Sequence, residues 1–348
     1  TLVLGVLRWR SRLDFTIAAL AKRSVNRLDD SVVEVLRLGL YQLLYMDVPA
    51  YAAVSETVDL TPKRARGFVN AILRTATRAK PPEPVDLPTR TAHPPWLIER
   101  WMRMYGAERA ARIADANQEL SYPDVVSLRG EVPPDAIPST LVPDVYKLHG
   151  SSAELDRGEF HPMDEGSAVV AAIARACGDD VLDLAAAPGG KALYMATHSA
   201  RVIANDVSFT RLRPLGGKDI RVVVGDGRKP PFARKFDVVL LDAPCSATGT
   251  IRKSPELKWR LKESDLAQFA ALQKELLRSA MTLANKYVVY STCSLEVEEN
   301  DAIVADYERI DITPFVPEGA RSWVENGVLR LTPESGADGF TAFVLPMT

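Results

Sequence analysis

The chain has 348 residues, of which 47% are hydrophobic and 25% charged, and carries a formal net charge of −2. That balance is ordinary for a soluble globular protein and excludes collagen-like sequence, wholesale disorder and a bundle of membrane spans. The length exceeds what one average domain needs, and no apolar stretch approaches the roughly 20 residues of a membrane-spanning helix.

The opening TLVLGVLRWR meets arginines at once and lacks a small-residue cleavage site, so it is not a secretory signal, and a cytoplasmic protein is expected. Thr1 already stands in helical pattern, so a first helix is expected to have been trimmed or removed. Within residues 1–80, the stretches 2–20, 31–48 and 52–80 each space apolar residues three and four apart, which predicts a helical bundle. Asp30-Ser31 is the expected cap of the second helix, and Pro49 and Pro62 punctuate the run. This segment holds 13 Lys/Arg and 7 Asp/Glu, a balance of +6 that leaves −8 for the rest. Such a surface suits either plain solvation or an anionic partner, RNA being the obvious candidate.

Pro81, Pro82, Pro84, Pro88, Pro94 and Pro95 predict a stiff linker over 81–95. Residues 96–118 are amphipathic and helical in spacing, and 119–160 mix short apolar runs with turns, so 96–160 is expected to form a small α+β subdomain. Beyond that the pattern changes. The runs VLDLA, RVIAND, RVVVGD, FDVVLLDA and KYVVYST alternate with helices or loops, which predicts a parallel sheet covered on both faces. GVLRLTP and GFTAFVLP then supply an antiparallel pair for the sheet edge.

Ligands of such sheets bind beyond the carboxyl ends of the strands. There stand the turn Ala185-Ala186-Ala187-Pro188-Gly189-Gly190-Lys191, then Asp206, Asp226, Asp242 with Cys245, and Cys293. The turn lacks the full GxGxxG fingerprint, and Ala192 after Lys191 rules out a P-loop, so a small nucleoside-containing cofactor fits better than a pyrophosphate. Asp206 suits ribose hydroxyls and Asp226 an exocyclic amine. Singly, each aspartate reads as a turn or cap residue, and only the convergence favours a ligand. Of the three cysteines, Cys177 reads as an inert small hydrophobe, whereas Cys245 and Cys293 stand in polar, turn-forming surroundings. They lack zinc-site clustering and the four histidines are scattered, so free thiols and no metal are expected.

Three of these segments, LDLAAAPGGK, DAPCSATGTIRKSPELKW and YSTCSLEVEEND, resemble signature motifs of the RNA cytosine-C5 methyltransferases. The likeness runs from MDEGSAVVAA to GADGFTAFVL, and the N-terminal LGVLRWRSRLD, LRLGLYQLLYMD and GFVNAILR resemble a NusB-type helical domain. Bacterial 16S rRNA methyltransferases of the Fmu/Sun type join these two parts. The resemblance implies an α/β fold: a Rossmann-like class I methyltransferase domain with a mostly parallel seven-stranded sheet over 161–348. It also implies S-adenosylmethionine as cofactor, contacted by residues 185–191, Asp206, Asp226 and Asp242. Cys293 would attack C6 of cytosine, Cys245 would help remove the C5 proton, and Asp242 would bond the base near N3. Lys191 would orient the base or lower a thiol pKa, and no metal is needed. Arg8, Arg10, Arg12, Lys63, Arg64 and Arg66 are candidate phosphate contacts, and a monomer is expected. The family often has cysteine at Ala185 and glutamine at Met163, and a longer stretch between Asp206 and Asp226. The rival readings are a tRNA cytosine-C5 methyltransferase, a non-catalytic RNA-binding ribosome assembly factor, and a small-molecule methyltransferase.

Overall fold

The computed structural model describes residues 2–347 except 151, 152, 154, 157, 198–200 and 219. In chain order come α1 (Leu2–Ala21), α2 (Asp30–Tyr45), α3 (Ala50–Leu60), α4 (Arg66–Arg78), α5 (Leu87–Arg90), α6 (Pro95–Tyr105) and α7 (Ala107–Ala116). Four short strands follow: β1 (Asp124–Ser127), β2 (Ile137–Pro138), β3 (Val145–Lys147) and β4 (Phe160–Pro162). The remainder contains α8 (Glu165–Cys177), β5 (Asp180–Asp183), α9 (Gly190–Thr197), β6 (Arg201–Asp206), α10 (Phe209–Leu212), β7 (Arg221–Val224), β8 (Phe236–Asp242), α11 (Leu257–Arg260), α12 (Leu266–Leu283) and β9 (Ala284–Thr292). It closes with β10 (Val324–Glu325), β11 (Val328–Leu331) and β12 (Phe340–Pro346). The chain divides into two compact units, Thr1–Glu119 with Ser254–Arg260, and Leu120–Lys253 with Leu261–Thr348.

In the first unit, Leu13, Ile17, Leu36, Leu40, Val69 and Leu73 bury the inward faces of α1, α2 and α4. Helix α2 begins at Asp30 with Asp29 as its flanking residue, one position before the expected cap, and the Asp29 carboxylate pairs with Arg64 at 2.6 Å instead of capping. The amphipathic stretch 96–118 forms two helices, because Gly106 turns the chain at φ 78°, a left-handed value that favours glycine. The linker 81–95 is not wholly extended, since Asp86 accepts from the Thr89 amide and caps α5.

Several arginines expected on the surface have partners inside the unit. Arg8 is buried and donates to the Asn117 carbonyl at 2.7 Å, which corrects its assignment as a phosphate contact. Arg12 donates to the Arg90 carbonyl and pairs with Glu83, and Arg10 lies over the Trp259 ring at 5.4 Å. Arg66 donates to the Thr61 and Asp59 carbonyls, while Lys63 is exposed. The segment Ser254–Arg260 belongs here too: Lys258 donates to the Arg8 carbonyl at 2.8 Å and Trp259 to that of Leu7 at 2.6 Å. Burial, with the Arg8 charge, holds the Lys258 amine well below its usual pKa.

The second unit contains two sheets. The smaller has the order β2-β3-β1-β4, antiparallel throughout. The larger has the order β10-β11-β12-β9-β8-β5-β6-β7, with β9, β8, β5, β6 and β7 parallel and the other three antiparallel. The two-residue β10 adds an outer strand to the seven expected, and β12 lies inside, between β9 and β11. Strand β8 explains why these runs are apolar throughout rather than alternating. Val238 and Leu240 face the cluster containing α8 and α9, whereas Val239 and Leu241 face the cluster containing Leu276, Leu277 and Ala280 of α12. A Leu-to-Ala change at such a position costs about 2–5 kcal/mol. The two sheets are tied by Lys253, whose ammonium meets Asp124 of β1 at 2.9 Å, Asp164 at the start of α8, and Asp338 at 3.6 Å. Among the described residues no helix is long and apolar enough to cross a membrane.

Candidate active site

The parallel order reverses direction between β5 and β8, and the crevice beyond such a switch point is where open α/β sheets bind ligands. Beyond β8 the chain continues through Ala243-Pro244-Cys245, and beyond β9 through Cys293-Ser294. The register Asp242↔Ser291 sets these loops side by side, and the Ala243 amide donates to the Ser291 carbonyl at 2.8 Å. The Gly249 amide donates to the Cys293 carbonyl at 2.9 Å. A Cβ on Gly249 would lie 2.3 Å from the Gly339 carbonyl oxygen, so only glycine permits this approach. The result is a Cys245 Sγ–Cys293 Sγ distance of 3.3 Å between two free thiols. Cys177 is buried elsewhere in the apolar core, and burial pushes its thiol up to about 12.

Lys191 stands beside this pair, in the first turn of α9. Its ammonium lies 2.6 Å from Asp242 Oδ2, donates to Ser167 Oγ at 2.7 Å, and sits 5.0 Å from the Phe340 ring centroid. Burial by itself would favour the neutral amine, but the charges of Asp242, Asp183 and Cys293 outweigh it and raise the pKa. The lysine therefore stays cationic, and a nearby cation favours thiolate over thiol. The other oxygen of Asp242 accepts from Ser291 Oγ at 2.8 Å. Cys245 is held well above the usual thiol value, first by its hydrogen bond with Cys293, then by burial and by the Cys293 charge. Cys245 is therefore held in its protonated form.

The turn 185–191 runs from the end of β5 into α9. Gly189 has φ 110°, and a Cβ there would meet Leu215 at 2.5 Å. Asp206, at the end of β6, accepts from the Ala187 amide at 3.1 Å and the Ser208 amide at 2.9 Å, which pins the acid against the turn. Asp226 lies on the open rim, where Arg228 hydrogen-bonds both its oxygens and holds its carboxyl down at about 2. The carboxylate expected to meet an exocyclic amine is thus already engaged. The short stretch between Asp206 and Asp226 contains α10 and a 3-10 turn at Arg213–Leu215, with Val207 and Phe209 exposed; residue 219 lies outside the described residues.

Sequence reasoning missed Asp183. It ends β5, is 1% exposed, and neither carboxylate oxygen makes a hydrogen bond of good geometry. Burial pushes it up to about 7; Lys191 opposes the rise, while Asp242 and Asp206 add to it. The signal available was an acid placed directly after the buried pair Val181-Leu182. Between about pH 4 and 7 the native state keeps a proton that the unfolded chain, at the usual 3.8, has released. Stability therefore falls as pH rises through that window. Asp183→Asn should reduce the drop in melting temperature between pH 5 and pH 8, a difference on the order of a few kcal/mol. A wild-type slope in the variant would refute the assignment. Asp124 and Asp338, raised to about 6 and about 7 chiefly by burial, account for the residual slope.

Comparison with known proteins follows the same division. Residues 170–343 match the family model described as 16S rRNA methyltransferase RsmB/F, and residues 1–78 match that of the NusB family. The ribosomal RNA small subunit methyltransferase B of Sodalis glossinidius is 32% identical over 350 residues, covering 88% of this chain and 79% of that protein. The probable ribosomal RNA small subunit methyltransferase B of Bacillus subtilis is 32% identical over 396 residues, covering 97% and 88%. The chain belongs to the RsmB/F family of 16S rRNA methyltransferases. Among solved structures, that of PH0851 matches with a TM-score of 0.75 at 24% identity, over 99% of this chain and 88% of that one. The structure of NSun6 from Pyrococcus horikoshii with SFG matches with a TM-score of 0.63 at 20% identity, over 74% and 99%. These two likenesses concern the fold.

An RsmB/F enzyme is an RNA methyltransferase that takes S-adenosylmethionine as cofactor. The residues present suit that group, a cation with amine and hydroxyl donors. The glycine turn leaves room for close approach, Asp206 is fixed against it, and Asp183 offers buried carboxyl oxygens that make no hydrogen bond of good geometry. Among the described residues no cluster of His, Cys, Asp or Glu has the arrangement to hold a metal ion.

Proposed function

We propose that this RsmB/F chain methylates carbon 5 of a cytosine in 16S rRNA through a covalent Cys293–C6 adduct that Cys245 resolves. The observation that carries this reading is the pair of thiols 3.3 Å apart, on adjacent strand ends beside the Lys191 ammonium. Carbon 5 of cytosine is a poor nucleophile, and covalent catalysis divides the difficult step. The Cys293 thiolate adds to C6, which moves electron density to C5, where the new carbon–carbon bond forms. S-adenosylmethionine supplies a methyl group already activated on its sulfonium. The Asp242–Lys191 pair is assigned the N3–N4 edge of the base, where charge changes during the addition.

Two neighbouring sulfurs share one negative charge more easily than two. While Cys293 is the thiolate, Cys245 keeps its proton. Once Cys293 is bonded to C6 that cause is gone, and Cys245 can release its proton to solvent and accept the one from C5. The C6–S bond then breaks, which frees 5-methylcytosine and returns the electron pair to Cys293. Residues 185–190, Asp206, Asp183 and the Asp226 rim are assigned to the cofactor. The target base must be unpaired or flipped out, at a cost of roughly a few kcal/mol.

The test is incubation with methyl-labelled S-adenosylmethionine and either 16S rRNA or tRNA, followed by nuclease digestion and mass spectrometry of the nucleosides. Label in 5-methylcytidine from 16S rRNA is the expected result. Label only in tRNA would move the substrate, and label at another atom or in neither RNA would overturn the reading.

A further inference from the structure

Glu299 touches neither sulfur, and no ion pair to it is found among the described residues, yet it is fully buried. It ends a 3-10 turn, Val297–Glu299, shortly after the Cys293 loop. One carboxylate oxygen accepts from the Ser246 amide at 2.8 Å and from Gln273 Nε2 at 3.0 Å. The other accepts from Ser294 Oγ at 2.5 Å and from the Ser246 hydroxyl. The two serine hydroxyls are 3.0 Å apart. Ser246 directly follows Cys245 and Ser294 directly follows Cys293, so one rigid group grips the residue after each thiol.

The carboxylate is itself held firmly. Tyr290 OH donates to the Glu299 carbonyl at 2.6 Å, and Gln273 also donates to the Pro244 carbonyl at 2.9 Å. Asn300 donates to the Ser294 carbonyl at 2.9 Å while accepting from Thr292 at 2.7 Å. Four donors match the roughly four lone-pair sites of a carboxylate, and bonds to an ionised acceptor are the strong ones. An apolar core residue would bury the same volume without fixing either loop, so packing alone does not account for a carboxylate here.

We infer that Glu299 is a positioning residue whose carboxylate clasps Ser246 and Ser294 and thereby sets the spacing of Cys245 and Cys293. This rests on the two-thiol cycle proposed above, and its test separates the two. The RNA-free readout is the rate at which diamide joins the thiols. The pair loses two electrons and two protons to the diazene, which leaves as a hydrazine, and the S–S bond is read by alkylation and mass. Wild type should close the pair rapidly, whereas Glu299→Ala should slow closure about tenfold or more, because small displacements of paired groups are costly. In the methylation assay its kcat should fall by about 10²-fold, with KM for RNA changed by less than about twofold. Glu299→Gln keeps an acceptor toward Ser246 N and Gln273 and can donate to hydroxyls that rotate, so it should restore both readouts to within several-fold.

If Glu299→Ala fails to fold, Ser294→Ala removes a single arm of the clasp and should slow closure on its own. Wild-type closure and kcat in a folded Glu299→Ala protein, or unchanged closure in Ser294→Ala, would overturn the inference. Slowed closure in a chain whose wild type methylates another atom would overturn the cytosine-C5 reading and leave the clasp standing.

Discussion

Replacing Cys293 by alanine should reduce methyl transfer to background, while replacing Cys245 by alanine should stop turnover at a covalent RNA–protein adduct. Both thiols belong to one cycle but act on different bonds. Without Cys293 no bond to C6 forms, so no adduct appears. Without Cys245 the addition still proceeds, but the C5 proton loses its acceptor, and loss of a general base slows a step by about 10²–10⁴-fold. The measurement is a denaturing gel of protein incubated with S-adenosylmethionine and labelled RNA. A slow-migrating labelled band should appear with Cys245→Ala alone and vanish in the double variant. Reversed behaviour of the single variants would exchange the roles of the two thiols, and a band in neither would remove the covalent mechanism. At a spacing of 3.3 Å the ionisation of one sulfur suppresses that of its neighbour, so the pair carries one negative charge more easily than two.

Lys191→Met should weaken the enzyme in two separable ways. The ammonium is 2.6 Å from Asp242 and is also felt by Asp183 and Cys293. Removing one partner of a largely buried ion pair leaves the other uncompensated, at a cost of roughly 3 kcal/mol or more, so the melting temperature should fall. The same deletion removes the cation that favours the Cys293 thiolate. Alkylation of Cys293 by iodoacetamide at fixed pH should then slow, and a tenfold loss of rate corresponds to about 1.4 kcal/mol. Lys191→Arg retains the charge and should keep most of the alkylation profile, even if the Asp242 contact is altered. An unchanged alkylation rate in the methionine variant would reduce Lys191 to a structural role.

The parallel sheet was legible from the sequence because β5, β8 and much of β9 are covered on both faces, which leaves short apolar runs with chemistry at their ends, whereas β7 at the edge leaves Val222 and Val224 exposed. The glycine turn, Asp206 and the two cysteine loops followed from that placement. What could not be read is burial and pairing across long sequence separations. Arg8 looks like any surface arginine until the Asn117 carbonyl, 109 residues away, is found beside it. Asp226 looked free, but its neighbour Arg228 folds back on it. Asp183 and Glu299 were hidden for the opposite reason. One follows the apolar pair Val181-Leu182 and the other sits in an acidic run, and neither setting reveals that the fold buries the carboxylate.

The segment Ser254–Arg260 has a consequence for heredity as much as for folding. The chain leaves the second unit after Lys253 and rejoins it at Leu261. Seven residues that follow the Cys245 loop thus supply Lys258 and Trp259 to carbonyls at the beginning of the polypeptide. The helical part reads as a contiguous module in sequence, but it is not a cassette. Recombination that exchanged residues 1–119 for another such module would mismatch a seven-residue insert encoded within the methyltransferase half. The two parts are therefore constrained to change together, because the smaller is completed by the larger.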